Sequence, residues 1–226
     1  MNYYGQLTDG KVLDLKRQYV QIILDNIQAF FQKPVVGIDT IYSCRKFFGV
    51  PDGGYLSTNK RLGEELEIDI SRDRMTHILG RYEGVASDYY SHFQNNDASF
   101  KSEPLKYMSK LTHNILGAIN YERVRQIRNE NYAYLERELG KQNKLELTTP
   151  DGAFAYPFYM ENGIEIRKVL AQKKIYIPTL WPNVVTDTQT NWIEYNYAIN
   201  ILPLPCDQRY TIEDMNTIIK CIREEN

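Results

Sequence analysis

The stretch YSCRKFFGVPDGG, residues 42 to 54, sets Lys46 between a cation, Arg45, and two bulky aromatics, Phe47 and Phe48, just before a tight Pro-Asp-Gly-Gly turn. An amine becomes a nucleophile only when it loses its proton near neutral pH, which calls for desolvation or a neighbouring positive charge. Both are at hand. Ser43 brings a hydroxyl and a backbone amide suited to a phosphate oxygen. Gly53 and Gly54 let the backbone turn or approach a ligand closely. Together these residue types describe a lysine prepared for a carbonyl compound that carries a phosphate. Each also has an ordinary structural explanation, such as a solvated lysine or a turn glycine. Asp25, at the end of the apolar run VQIIL, is open in the same way. In an α/β sheet an acid at the carboxyl end of a strand faces a ligand cleft, and elsewhere it caps a turn.

The elements that must hold these groups are legible as changes of hydrophobic period. In the first third, YVQIIL, VVGI and GGYLST are short apolar runs bounded by Asp, Gly and Pro, and read as buried strands of a parallel or mixed sheet. From Asp69 onward the period becomes helical. Met75, Ile78, Leu79, Tyr82, Val85, Tyr89 and Phe93 form one amphipathic face. Leu105, Met108, Leu111, Ile115 and Ile119 form a second, with Ser102 as a cap and Pro104 in the first turn. A third helix runs from Asn120 to a stop at Gly140. Beyond it come strand-like AFAYPFYM, a helix in GIEIRKVLAQKK, strand-like IYIP, a Trp- and Tyr-rich helix and NILPLP. A last helix opens on the capping box of Thr211 and Asp214. The expected organisation is an α/β domain over residues 1–103 and a small α+β domain over residues 104–226.

Composition excludes several classes. A net charge of −2 over 226 residues, with no Lys/Arg run, offers no field for nucleic acid. The opening residues MNYYGQLTDG have neither the basic nor the apolar part of a signal peptide, and runs such as VQIIL are too short to span a bilayer. Three scattered cysteines, Cys44, Cys206 and Cys221, suit free thiols in the cytoplasm. The histidines lack metal-ligand spacing, so no metal is expected. GVPDGG lacks the glycine and lysine spacing of either nucleotide phosphate loop. Trp181 and Trp192 could line a substrate cleft or a packed core, and Arg167, Arg209 and Tyr210 could hold an anionic substrate group or close internal salt bridges.

Taken in order, IILDNIQAFF, then Lys46, then GVPDGGYLSTN resemble the cofactor region of fold type I pyridoxal phosphate enzymes. More narrowly, they are similar to the DegT/DnrJ/StrS family of sugar aminotransferases. That family has an Asp-x-x-His/Gln element, a serine-bearing strand, a lysine that attaches the cofactor, and a Gly-Gly pair. Here these fall on Asp25, Gln28, Ser43, Lys46, Gly53 and Gly54. The resemblance implies that Asp25 pairs with the pyridine nitrogen and Gln28 lies beside the ring hydroxyl. Ser43 would contact the phosphate, and Lys46 would attach the cofactor and then move the proton between carbons. Asn59 matches a family position of undefined role. YPFYMENGIEIRKVLAQKKIYIPTLWP and ILPLPCDQRYTIEDM resemble the family's small domain, so the likeness runs over nearly the whole chain.

What the resemblance implies is a pyridoxal phosphate aminotransferase, moving an amino group from an amino-acid donor to a keto-sugar or related carbonyl acceptor. Family members are longer at the amino end, where a phosphate-cradling turn and a ring-stacking side chain would lie. A shortened sheet leaves an open edge, which implies a homodimer or a separately encoded amino-terminal piece. The alternative is a non-catalytic remnant acting as a dimeric scaffold. Two departures, Pro51-Asp52 where the family has Gly-Glu and His113-Asn114 where it has small residues, imply a divergent substrate subgroup.

Overall fold

The computed structural model describes residues 1–224. The chain forms two compact units. Residues 1–2 and 8–120 make the first, and residues 3–7 and 121–226 the second.

In the first unit, α1 (Asp9–Gln18) is capped by Thr8, whose side chain accepts from the Lys11 amide. Three strands follow: β1 (Ile23–Asp25), β2 (Asp39–Ser43) and β3 (Gly54–Ser57). β1 and β2 run parallel and β3 returns antiparallel, giving a mixed sheet in the order β1-β2-β3. The run VVGI is not itself a strand. Gly37 takes a φ of 80° and the Ile38 amide bonds back to Val35, so these residues turn, and β2 begins at Asp39. Beneath β2, Phe30, Phe31, Phe47 and Phe48 pack mostly edge to face, with ring centroids 4.8 to 6.4 Å apart.

The helical stripe expected over residues 75–93 is two helices, α2 (Thr76–Glu83) and α3 (Tyr90–Ser99). Gly84 becomes extended at φ −144° and ends α2. Tyr89 lies so close to Gly80 that a Cβ there would fall 2.3 Å from the ring. The next helix, α4 (Lys110–Gly117), starts later than Ser102 and Pro104 suggested, because Ser109 is its cap and accepts from the Thr112 amide. α4 lies within the first unit.

The second unit is built on α5 (Tyr121–Leu139), which ends where Gly140 donates back to the Glu136 carbonyl. It continues with β4 (Tyr156–Tyr159), α6 (Gly163–Gln172), α7 (Pro182–Asp187), α8 (Ile193–Asn200), β5 (Ile201–Leu204) and α9 (Ile212–Arg223). β4 and β5 pair antiparallel. IYIP is not a strand, and the Trp- and Tyr-rich segment is two helices, α7 and α8. Thr211 and Asp214 form the capping box, and Met215, Ile218, Ile219 and Ile222 are buried against Leu135, Leu139, Phe158 and Leu170.

Candidate active site

Asp25 is the last residue of β1 and pairs in register with Ile41, two residues before β2 ends at Ser43. The carboxyl ends of the two parallel strands therefore lie side by side, the position at which open α/β sheets bind ligands. One Asp25 oxygen accepts the Ile27 amide at 3.0 Å, turning the chain so that Gln28 is 1% exposed. The Asn26 amide reaches across to the Ile41 carbonyl at 2.9 Å, fastening this turn to β2.

After Ser43 the chain makes a single tight turn. The amides of Phe47 and Phe48 both donate to the Cys44 carbonyl, at 3.1 and 2.9 Å, and both rings are buried. Lys46 lies on this turn between Arg45 and the two buried phenylalanines. By surface area the residue is exposed, yet protein crowds it enough that desolvation lowers its pKa below the usual lysine range. Asp25 and Asp97 oppose that shift and Arg45 adds to it. The neighbouring Cys44 thiol is fully buried and pushed up to about 12, first by burial and then by Asp52, so it is inert.

The far side of the loop rests on a buried carboxylate. Asp52 accepts the Ser109 amide at 2.7 Å, the Ser109 hydroxyl at 2.9 Å and the Thr112 hydroxyl. Ser71 bonds the Ser109 hydroxyl at 2.6 Å. Burial alone would raise the Asp52 pKa, but the hydrogen bonds from Thr112, Ser109 and Ser71 outweigh it and hold the carboxyl below its ordinary value. Gly54 is required where the loop re-enters the sheet, since a Cβ would sit 2.7 Å from the Tyr42 carbonyl oxygen. Gly54→Ala is expected to cost about 1–3 kcal/mol by forcing the β2–β3 pair apart, read as a lower urea midpoint and faster amide exchange over residues 40–57.

No protein-family model and no curated protein matches the sequence. Solved structures do. A DegT/DnrJ/EryC1/StrS aminotransferase from Brucella abortus aligns at a TM-score of 0.59 and 14% identity, covering 99% of this chain and 62% of that one. DesV from S. venezuelae, solved in complex with a ketimine intermediate, aligns at 0.58 and 16% identity over 99% of this chain and 63% of its own. A putative PLP-dependent aminotransferase from Bacillus cereus aligns at 0.53 and 13% identity, over 98% and 63%. The chain has the fold of these aminotransferases. It spans about three fifths of their length.

Within this aminotransferase fold the expected cofactor residues divide. Asp25, Gln28, Ser43 and Lys46 gather at the carboxyl ends of β1 and β2. Asn59 does not join them. β3 runs antiparallel, with Gly54 opposite Ser43 and Ser57 opposite Thr40, so residues after Ser57 leave at the other end of the sheet. Asn59 lines a separate cleft of about 870 Å³ with Val20, Ile23 and Val36. A larger open cleft, about 1500 Å³, lies along β2, β3 and α4, with Ser43, Arg45, His113 and Asn114 in its wall.

The donor set fits the ring end of pyridoxal phosphate. It provides an amine that burial makes easier to deprotonate, a carboxylate at a neighbouring strand end, a buried amide and a hydroxyl. Other sequence candidates are committed to structure. Arg209 holds Asp207 through two bonds of 2.8 Å. Arg167 donates to the carbonyls of Ile199 and Ile201 where α8 meets β5. Trp181 packs against Tyr3 at 4.7 Å. Sequence reasoning missed the Asp52–Ser109–Thr112 cluster, whose only local signal is the Ser-x-x-Thr spacing at the start of α4.

Proposed function

We propose that the chain carries the lysine side of a pyridoxal phosphate site and acts in amino transfer, from an amino-acid donor to a keto-sugar or related carbonyl acceptor. The observation that supports this most directly is the placement of Lys46. It is a desolvated amine on a tight turn at the carboxyl end of β2, within electrostatic reach of Asp25 at the carboxyl end of β1. In this reading Lys46 would attach the cofactor covalently, Asp25 would hold the ring nitrogen in its protonated form, Gln28 would bond the ring oxygen and Ser43 would contact the phosphate. When bound, the cofactor would supply an electron sink for the carbon that loses its proton. Lys46, its amine freed when the donor's amine takes its place, would carry that proton between carbon atoms.

Val20, Ile23 and Val36 are 89, 69 and 96% exposed around the amino-terminal end of β1, and β1 is the outer strand of the described sheet. An exposed apolar patch next to an edge strand favours coverage by another polypeptide surface, so the working unit in this reading is a homodimer or a pairing with another polypeptide segment. The same observation is the one that favours the second reading, a dimeric scaffold without turnover.

The deciding experiment treats the purified chain with pyridoxal phosphate, reduces it with borohydride and maps the modified peptide by mass spectrometry. The expected result is one stoichiometric adduct on Lys46. Scattered, substoichiometric labelling of exposed lysines would sink the cofactor reading and leave the scaffold.

A further inference from the structure

The loop that displays Lys46 is held from outside by one turn of α3. The Asn96 side chain, 3% exposed, donates its amide to the Pro51 carbonyl at 2.8 Å. The next residue, Asp97, takes the Arg45 guanidinium at 3.1 Å, and that guanidinium also lies 4.5 Å over the Phe100 ring. Residues 45 and 51 bracket Lys46, so two consecutive side chains of one helix grip the loop before and after the lysine. We propose that Asn96 and Asp97 are the positioning pair for Lys46, with Asn96 fixing the far limb of its loop and Asp97 fixing the near limb through Arg45.

The charged groups around Lys46 are Asp25 from β1, Asp97 from α3 and Arg45 from its own loop. His77 of α2 faces Arg45, and burial followed by the charge of Arg45 holds it towards its neutral form. Asp97 favours the protonated amine by its own charge, and it fixes the position of Arg45, the cation that disfavours it. Without Asp97 the loss of that negative charge moves Lys46 towards earlier loss of its proton. The Asp97 side chain is 62% exposed, so part of this influence passes through solvent and is open to screening by salt. Asn96 is placed differently. Its amide orientation is fixed by the Pro51 carbonyl, and its loss frees the limb that leads into the Asp52 cluster.

The inference gains its functional meaning from the reading of Lys46 as the attachment lysine, but its test uses the chain without cofactor. Lysines are acetylated competitively across a pH series, and the Lys46 peptide is compared with the other lysines by mass spectrometry. For Asp97→Asn we expect Lys46 to label about threefold faster at pH 8 relative to the other lysines. The gap should narrow in 1 M salt, and Asp97→Glu should return it towards the parent value. For Asn96→Ala we expect Cys44, fully buried in the parent, to become open to alkylation while Cys206 in the second unit keeps its parent rate. A Lys46 profile unmoved in Asp97→Asn, or Cys44 still protected in Asn96→Ala, would overturn the corresponding half of the proposal. Should the parent chain fail to take pyridoxal phosphate on Lys46, the cofactor reading falls, and these labelling results still decide whether the pair positions the loop.

Discussion

Lys46→Ala is expected to lose every trace of borohydride-trapped pyridoxal phosphate while keeping the parent's circular dichroism and urea midpoint to within about 0.5 kcal/mol. The separation of the two effects follows from how the turn is built. Its backbone is closed by the Phe47 and Phe48 amides on the Cys44 carbonyl, and its weight is carried by buried Phe47 and Phe48. Neither depends on the lysine side chain. Burial disfavours the charged amine, so removing it relieves a cost at neutral pH. A folded-state lysine pKa below the unfolded value means that the unfolded chain holds the extra proton, and the penalty fades as pH rises towards the lysine range. Lys46→Arg sharpens the result. It keeps a positive charge on the same turn but cannot attach a carbonyl carbon reversibly as an amine does. Loss of the adduct in both variants would mark a covalent site. Retention in Lys46→Ala would assign the attachment to another lysine and remove the central support for amino transfer.

The parts of this arrangement that could be read from the sequence are those set by local periodicity and local order. Asp25 after an apolar run, the Gly-Gly pair, the Thr211 capping box and the buried face of α9 all depend on residues within a few positions of one another. β2 was displaced because its first residues are polar. Asp39 receives Thr58 at 2.6 Å, and Thr40 is buried with its hydroxyl on the Ile38 carbonyl, so neither advertises a strand. The apolar VVGI before it was the louder signal and is a turn. The break between α2 and α3 was hidden for the opposite reason. The apolar spacing continues through it, and only the backbone of Gly84 and the packing of Tyr89 on Gly80 interrupt the helix.

The order of motifs in a chain is also a weaker guide than their order in a sheet. Asn59 follows Lys46 closely in sequence, yet one antiparallel return is enough to carry it to the far end. Conversely, α3 and α4 lie dozens of residues downstream of the lysine loop and supply its outer grip through Asn96, Asp97, Ser109 and Thr112. Such long-range polar contacts leave no periodic trace. They matter for function because the side chain that would bind cofactor sits on a loop, and a loop is only as well placed as the contacts that hold it.

Asp52 carries the largest stability effect expected in the first unit. Asp52→Ala should cost about 3–5 kcal/mol, because it leaves the Ser109 amide and the Ser109 and Thr112 hydroxyls as buried donors without their acceptor, at roughly 1–3 kcal/mol each before relaxation. Asp52→Asn should cost less, since one oxygen remains, while its amide nitrogen faces donors on one side. The pH dependence separates the charged carboxylate from mere shape. Hydrogen bonds hold the folded carboxyl below the ordinary aspartate range. The stabilisation is therefore complete above the unfolded pKa and disappears as pH falls through the folded one. The difference between parent and Asp52→Asn should persist from pH 7 down to about pH 4 and shrink below it. Amide exchange over residues 44–57 and 109–117 reads it directly. If exchange there matches the parent in Asp52→Ala, the carboxylate is not what holds the lysine loop against α4. If exchange rises in both segments together, Asp52 is the joint through which the start of α4 fixes the loop bearing Lys46.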